Sequence, residues 1–119
     1  MLEDQGRYHF LFEQHPFKDV LLPLDRHASM TARNFYVFQV CKTFEDSGVD
    51  AVLLPCFASQ TFREEIQQEL GIPVLDMMQA LVRHILRSVA PGATLGVIAS
   101  DFVRHAGLFE KHLGQHFNL

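Results

Sequence analysis

Short apolar runs alternate along the chain with longer segments in which apolar residues recur at helical spacing. Residues 17–24, 51–54 and 95–99 are short and contain runs of Val, Leu and Ile, a composition typical of strands buried on both faces of a sheet. Pro23 and Pro55 lie at the ends of the first two runs, and each limits its ladder because proline has no amide hydrogen to donate. The pattern therefore predicts three buried strands.

A first helix is predicted over residues 31–46, and Gly48 is expected to end it. Its apolar side chains recur at i, i+3, i+4 and i+7, which places them on one helical face. They are Val37, Val40, Cys41 and Phe44. Because Cys41 lies on this stripe, we expect it to be a small core residue.

Three further helices are predicted after the second strand. Thr61 and Glu64 have the spacing of a capping box, which predicts a helix over residues 62–70. Asp76 is the expected N-cap of the next helix, and the last helix is predicted over residues 102–113. The helix after Asp76 has the clearest apolar stripe, formed by Met78, Leu81, Val82, Ile85, Leu86 and Val89.

Strands that alternate with helices indicate a mostly parallel sheet flanked by helices, which is the α/β class of fold. The 119 residues are 48% hydrophobic and 20% charged, which is enough for one compact domain with its own core. Residues 7–12 are rich in aromatic side chains and fit either the end of a helix or a short strand. Both interpretations of that segment stay open.

The charge balance and the hydropathy narrow the classes of partner. Ten basic residues against 14 acidic residues give a net charge of −4, which argues against affinity for a phosphate backbone. The longest apolar run, residues 51–58, is far shorter than the ~20 residues of a membrane span, and residues 1–7 contain no apolar signal core. We therefore expect a cytoplasmic protein with no nucleic-acid partner and no membrane partner.

Cys56 is the leading candidate for chemistry. It follows a predicted strand and precedes a predicted helix, and ligands collect at such carboxyl ends of parallel strands. The positive end of the helix favours a thiolate at that position. Free cysteines are also commonly buried, and the neighbours Phe57 and Ala58 are apolar. Packing in the core is therefore the alternative role for Cys56.

Other candidate sites have weaker patterns. His112 and His116 have the i, i+4 spacing of a metal-binding pair. Leu113 stands where the zinc protease motif has glutamate, and Gly114 weakens the helix, so we predict no metal site. The polar residues 25–29 fit either a ligand crevice or a solvated loop. The chain contains no Gly-x-Ser-x-Gly elbow, P-loop or dinucleotide fingerprint.

Three stretches carry a resemblance to a known family. Residues 52–60 read Val-Leu-Leu-Pro-Cys-Phe-Ala-Ser-Gln, and residues 71–77 read Gly-Ile-Pro-Val-Leu-Asp-Met. Residues 95–100 read Leu-Gly-Val-Ile-Ala-Ser. In their order and spacing, these stretches resemble the aspartate/glutamate racemase family, and the likeness extends over residues 31–113.

The resemblance implies a racemase that uses no cofactor and has two pseudo-symmetric α/β lobes. In such enzymes one cysteine from each lobe exchanges the α-proton of a carboxylate substrate. By its position in the resembling stretch, Cys56 would be the first-lobe cysteine, which is expected to act as a general acid and base. The substrate-binding positions implied by the resemblance are Phe57, Ala58, Ser59, Gln60 and Ser100.

Three residues after the cysteine depart from the family pattern. Phe57 and Ala58 stand where the family has the Asn and Thr that hold the substrate carboxylate, and Gln60 replaces a His. These changes imply a less polar ligand than aspartate. The expected partner is a small carboxylate or amino acid.

The resemblance also implies a division of the chain. Residues 1–92 correspond to a first lobe without its opening strand, and residues 93–119 correspond to the start of a second lobe. A partner lobe, or a second copy of the chain in a homo-oligomer, would complete the cleft. The predicted function is cysteine-mediated proton abstraction at the carbon α to the carboxylate of an amino acid or related acid. The alternative is a non-catalytic lobe that serves as a binding or oligomerisation module.

Overall fold

The structure, a computed structural model, describes residues 7–12 and 27–119, with the backbone alone for residues 27–32. The strand predicted over residues 17–24 lies outside the described residues, as do residues 25 and 26 of the polar stretch 25–29. The helices of the described part are α1 (His27–Asp46), α2 (Phe57–Gln60), α3 (Arg63–Gln68), α4 (Met77–Ser88), α5 (Asp101–Ala106) and α6 (Leu108–Leu113). None of the helices described here is long and apolar enough to cross a membrane.

The long helix α1 confirms the helix predicted over residues 31–46 and begins earlier, at His27. Gly48 follows it with a φ of +83°, and the Gly48 amide donates a hydrogen bond to the Glu45 carbonyl (3.1 Å). This left-handed conformation favours glycine and ends the helix as predicted. Residues 7–12 are exposed and form neither the helix end nor the strand considered for them.

The side chain of Glu45 ties α1 to the turn that follows α3. Its Oε1 accepts a hydrogen bond from the Gly71 amide (2.9 Å), and its Oε2 accepts one from the Lys42 ammonium (3.1 Å). The Lys42 hydrogen bond, followed by the Gly71 amide, lowers the pKa of Glu45 below its usual value. The carboxylate is therefore charged at neutral pH and available to both donors.

Two apolar cores hold the helices together. The α1–α3 core is formed by the buried residues Cys41, Val52, Leu54, Ile66, Leu70 and Val74. The α4–α6 core is formed by the buried residues Ala58, Met78, Val103, Leu108, Phe109, Leu113 and Phe117. Phe62 packs against both. The α4–α6 core combines residues from both of the predicted lobes, 1–92 and 93–119, and the boundary between those lobes stays a prediction.

The predicted α/β fold with a mostly parallel sheet is wrong for the part of the chain that the structure describes. Residues 7–12 and 27–119 contain no β-strand. Their extended segments meet in two isolated parallel bridges, one between Val52 and Val74 and one between Thr94 and Asn118. Of the two described runs that were expected to form strands, residues 51–54 contain one of these bridges and residues 95–99 follow the other, and neither bridge extends into a ladder.

Proline ends the Val52 bridge on its amino-terminal side. The Val52 amide donates to the Pro73 carbonyl (2.9 Å), and the Leu75 amide donates to the Val52 carbonyl (2.8 Å). The next parallel step would need an amide hydrogen from residue 73, which proline lacks. The ladder cannot continue in that direction.

The side chain of Gln60 ends the same bridge on its carboxyl-terminal side. The next step would join the Met77 amide to the Leu54 carbonyl. Instead, Gln60 Nε2 donates to the Leu54 carbonyl (2.9 Å), and the Met77 amide donates to Gln60 Oε1 (3.3 Å). The carboxamide is thus inserted into the ladder like an extra peptide group, and it separates the two segments.

Side chains of α3 also occupy the other edge of the Val74 segment. The Val74 amide donates to Gln67 Oε1 (2.7 Å), and the Val74 carbonyl accepts from Arg63 Nη1 (3.2 Å). Because both backbone groups of Val74 are engaged, a further strand has no free partner at this residue.

The strand predicted over residues 95–99 also fails to form. The Leu95 amide donates to the Asn118 carbonyl (2.7 Å), but residues 96–99 make no backbone hydrogen bond to any residue that the structure describes. Ile98 is fully exposed. A strand is defined by its neighbour's hydrogen bonds, and this apolar run has no neighbour among the described residues.

The N-caps that were predicted from single residues and short motifs are only partly confirmed. The Gln79 amide donates to Asp76 Oδ1 (2.9 Å), which confirms Asp76 as the N-cap of α4. The predicted capping box is wrong, because the Thr61 hydroxyl donates to the Ala58 carbonyl (2.6 Å) at the end of the unpredicted helix α2. Helix α3 begins after Phe62 without a side-chain cap.

The last predicted helix is divided in two at Gly107. This residue ends α5 and precedes α6 with a φ of +69°. The turn redirects the chain so that α6 packs against both α5 and α4. The periodicity of residues 102–113 predicted one helix because a glycine within a helical pattern is tolerated, and only its φ distinguishes a break.

We expect the substitution Gly107→Ala to destabilise the protein by about 1 kcal/mol, because alanine disfavours the left-handed conformation. A Cβ at Gly107 meets only a Glu110 carboxylate oxygen at 3.9 Å, so the loss comes from the backbone. Gly96→Ala is the matched control, since Gly96 has open space and no positive φ. Denaturant unfolding of both variants measures the difference, and equal stabilities would contradict this account of the turn.

Candidate functional site

The candidate thiol lies where the extended segment of Val52 turns into α2. Cys56 is the N-cap residue of α2 and has an extended backbone conformation. Its carbonyl accepts the Gln60 amide hydrogen (3.1 Å), while its side chain makes no capping hydrogen bond. The side chain is exposed and the cysteine is free. The thiol is therefore accessible to a small molecule.

Packing of the next two residues fixes the position of this turn. Ala58 is buried in the α4–α6 core beside Val103 and Phe109, and the ring of Phe57 lies 5.1 Å from the ring of Phe109. Because α2 packs against α5, the backbone that carries Cys56 is held by apolar contacts. Phe57 is still partly exposed at this surface.

Gln60 is buried, at 6% exposure, and both ends of its carboxamide are engaged with backbone groups. Its Nε2 binds the Leu54 carbonyl and its Oε1 binds the Met77 amide. These contacts join the segment that leads to Cys56 with the start of α4. The geometry gives Gln60 a positioning role in the loop.

The two predicted serines lie on different elements. Ser59 is half-buried within α2, whereas Ser100 is the exposed N-cap of α5, where its Oγ accepts the Val103 amide hydrogen (3.3 Å). The structure thus brings Cys56, Phe57, Ala58, Ser59 and Gln60 together on one short helix and places Ser100 on another. The assignment of these residues to substrate binding stays a prediction.

The second cysteine has a different environment. Cys41 is 1% exposed in the α1–α3 core, which confirms its predicted role as a small core residue. Burial raises the pKa of the Cys41 thiol, because the charged form is disfavoured away from water. Of the two cysteines, Cys56 is the one whose side chain is exposed to solvent.

A cavity of about 110 Å³ lies next to α2 and was not predicted from the sequence. Gln60 lines it, and so do charged residues of α3 and α6, including Arg63 and Lys111. These groups come from distant parts of the chain, so no local motif marks them. His112 also lines the cavity, although the sequence suggested it only as half of a metal-binding pair.

The metal hypothesis finds no cluster to support it within the described residues. No group of three or more His, Cys, Asp or Glu side chains is arranged there to hold an ion. His112 lies in α6, but His116 follows the end of that helix at Leu113. The i, i+4 spacing therefore does not correspond to two successive turns of one helix.

Comparison with known proteins gives two matches. Residues 6–118 match the family model described as Asp/Glu/Hydantoin racemase. A 52-residue stretch is 35% identical to the "Broad specificity amino-acid racemase RacX" of Bacillus subtilis (strain 168). That stretch covers 44% of this chain and spans 23% of the length of RacX. No solved structure matches the chain.

We expect Gln60→Glu to destabilise the protein by about 2 kcal/mol, because the buried carboxylate cannot donate to the Leu54 carbonyl. The new side chain has the same shape, so the loss reports the missing donor. Gln68→Glu, at an exposed position in α3, is the matched control. Denaturant unfolding measures both, and acid should restore part of the loss, since a protonated carboxyl can donate. Equal stability of the two variants would contradict the inserted-amide geometry.

We expect a thiol reagent at neutral pH to modify Cys56 quickly and Cys41 only after unfolding, because Cys41 is buried and its pKa is raised. Peptide mass mapping after alkylation of the native protein identifies the modified residue. In the variant Cys56→Ser, only the Cys41 thiol remains, and it should be alkylated slowly until denaturant exposes it. Fast modification of Cys41 in the native protein would show that the α1–α3 core is open.

Proposed function

The chain belongs to the Asp/Glu/Hydantoin racemase family, and from this membership we propose that Cys56 abstracts the α-proton of an amino acid or a related carboxylic acid. The membership confirms the resemblance carried by residues 52–60 and 71–77. The observation that carries the proposal is the exposed, free side chain of Cys56 at the point where the Val52 segment turns into α2.

The proposed step is a proton transfer between the sulfur and the α-carbon. The thiolate of Cys56 takes the α-proton, and the electron pair of the broken C–H bond remains on the α-carbon, delocalised toward the carboxyl group. The new thiol then returns a proton to the carbanion, so that atoms and charge balance. A positioned acid and base of this kind contributes roughly 10²–10⁴ in rate.

Inversion of the α-carbon requires a second group on the opposite face of the substrate. Cys41 is buried and does not serve. We propose that another lobe or a second copy of the chain supplies the second group. The 52-residue match spans only 23% of the length of RacX. We therefore extend the activity of such a relative to this chain only as a proposal. By itself, the chain exchanges the α-proton on one face.

The surroundings of the thiol favour a substrate with an apolar side chain. Phe57 is partly exposed next to Cys56, and Ala58 has no polar group to offer. Ser59 is the nearest hydroxyl along α2 and is the candidate donor for a substrate carboxylate. We place this chemistry in the cytoplasm, where both free cysteines stay reduced.

We expect the protein to exchange the α-hydrogen of an apolar amino acid for deuterium in D₂O. Proton NMR follows the loss of the α-hydrogen signal of L-leucine, L-alanine and L-aspartate, and chiral chromatography of the same samples follows inversion. Cys56→Ser should slow the exchange by at least about 100-fold, because serine is a far weaker base. Ser47→Ala, at an exposed position beyond α1, is the matched control and should keep the wild-type rate.

Exchange that persists in Cys56→Ser would contradict the proposed role of the thiol. Exchange without inversion would support the one-sided reaction, and inversion by the chain alone would show that it holds its own second acid.

The alternative function is a non-catalytic module for binding or oligomerisation. It is favoured by large apolar side chains that remain exposed, among them Leu53, Leu75, Val97 and Ile98. Where such side chains form one contiguous patch, they are typical of a surface that a partner covers. In this case no amino acid would exchange its α-hydrogen, and Cys56→Ser would behave as the wild type.

A further inference from the structure

The cavity next to α2 is separate from the exposed thiol. It lies between α3, the start of α4, and the helices α5 and α6. Gln60 lines it, one helical turn along α2 from Cys56, but Cys56 does not. A ligand in this cavity would therefore occupy a different site from the one used in the proposed reaction.

An ion pair on one side of the cavity is fully engaged with the protein. Arg63 Nη2 lies 3.3 Å from Asp76 Oδ2, and both side chains are largely buried. Arg63 Nη1 also donates to the Val74 carbonyl, and Asp76 Oδ1 accepts the Gln79 amide. This pair forms a rigid polar wall with little capacity left for a ligand.

Two oppositely charged side chains on the outer side of the cavity have hydrogen-bonding groups that the protein does not use. Lys111 Nζ lies 3.6 Å from Glu64 Oε1, and both side chains are well exposed. That distance is too long for a strong hydrogen bond, so the ammonium keeps donors free and the carboxylate keeps acceptors free. His112, next to Lys111 on α6, is half-buried, and its imidazole forms no hydrogen bond with any described residue. It adds a further polar group without a protein partner.

Apolar side chains complete the lining of the cavity. Met78 is fully buried, and Leu108 belongs with it to the α4–α6 core. Ala106, at the end of α5, is the third apolar residue. The cavity thus offers one positive group, one negative group and an apolar patch. A volume of about 110 Å³ corresponds to roughly four water molecules at the volume that each occupies in the liquid.

We infer that this cavity binds a small zwitterion, namely an α-amino acid with a short aliphatic side chain. Lys111 and His112 would hold its carboxylate, and Glu64 would hold its ammonium group. The aliphatic side chain would contact Leu108 and Ala106. The inference goes beyond the proposed function and does not depend on it, because the thiol takes no part in this binding.

Titration of the isotope-labelled protein with L-valine tests the inference. Heteronuclear NMR follows the imidazole signals of His112, which should shift as valine binds. Two probes that each carry one charge, isobutyrate and isobutylamine, should bind at least about fivefold more weakly, because each lacks one of the two polar contacts. Isobutyrate or isobutylamine binding as tightly as valine would overturn the zwitterion assignment.

Two charge variants test the negative side chain and the positive side chain of the cavity separately. Glu64→Gln should weaken the binding of valine by about three- to tenfold and leave that of isobutyrate unchanged, whereas Lys111→Met should weaken the binding of both valine and isobutyrate by a similar factor. Glu65→Gln is the matched control, since Glu65 lies on α3 and does not line the cavity. Circular dichroism checks that each variant is folded. The inference is overturned if Glu65→Gln weakens the binding of valine as much as Glu64→Gln does. It is also overturned if neither Glu64→Gln nor Lys111→Met weakens that binding.

The variant Cys56→Ser separates this site from the proposed reaction. It should bind valine with the affinity of the wild type and shift the same His112 signals, even though proton exchange is lost. Loss of the His112 shifts in Cys56→Ser would place the amino acid at the thiol and overturn the inference. If the wild-type protein binds valine but exchanges no α-hydrogen, the inference stands and only the proposed reaction is contradicted.

Discussion

The carboxamide of Gln60 is the contact on which the arrangement of the site depends. It occupies the place where the Leu54 carbonyl and the Met77 amide would otherwise pair, so it gives both backbone groups a partner while keeping their segments apart. A buried polar group without a partner costs about 1–3 kcal/mol, and this side chain removes that cost at the Leu54 carbonyl. Gln60 is the last residue of α2, and Cys56 is the N-cap of the same helix. The location of the exposed thiol therefore follows from a side chain inserted into a backbone ladder.

The helices that the sequence predicts well are those that depend on residues close to one another in the chain. The helix α1 and the Asp76 cap of α4 depend on residues within a few turns of one another, and the structure contains both. Of the predicted apolar stripe of α1, Val37, Cys41 and Phe44 pack in the α1–α3 core, whereas Val40 does not. The sheet could not be predicted in the same way, because each strand depends on a distant neighbour. Pro73 marks one end of the Val52 bridge in the sequence, but nothing local distinguishes Gln60, which crosses the ladder, from Gln68, which is exposed.

The same distinction applies to the exposed thiol and the cavity. Cys56 was identified from its place after an apolar run and before a helix, and its exposure agrees with that role. The cavity combines Arg63 and Glu64 of α3 with Lys111 and His112 of α6, and no sequence spacing relates these pairs. Only the turn at Gly107, which directs α6 back across α4, brings them together. A glycine within an amphipathic pattern was the one available signal.

The position of Phe62 between the two cores has a consequence for cooperativity. Its ring packs against the α1–α3 core and the α4–α6 core, and it stacks on Phe102 with the ring centres 6.0 Å apart. Apolar cores of this size open and close as units with their own free energies, and a shared side chain couples the two equilibria. Opening of one core would remove the contacts that hold this ring against the other. Cys56 lies in the chain between Leu54 of the α1–α3 core and Ala58 of the α4–α6 core, so the backbone that carries the thiol is anchored in both.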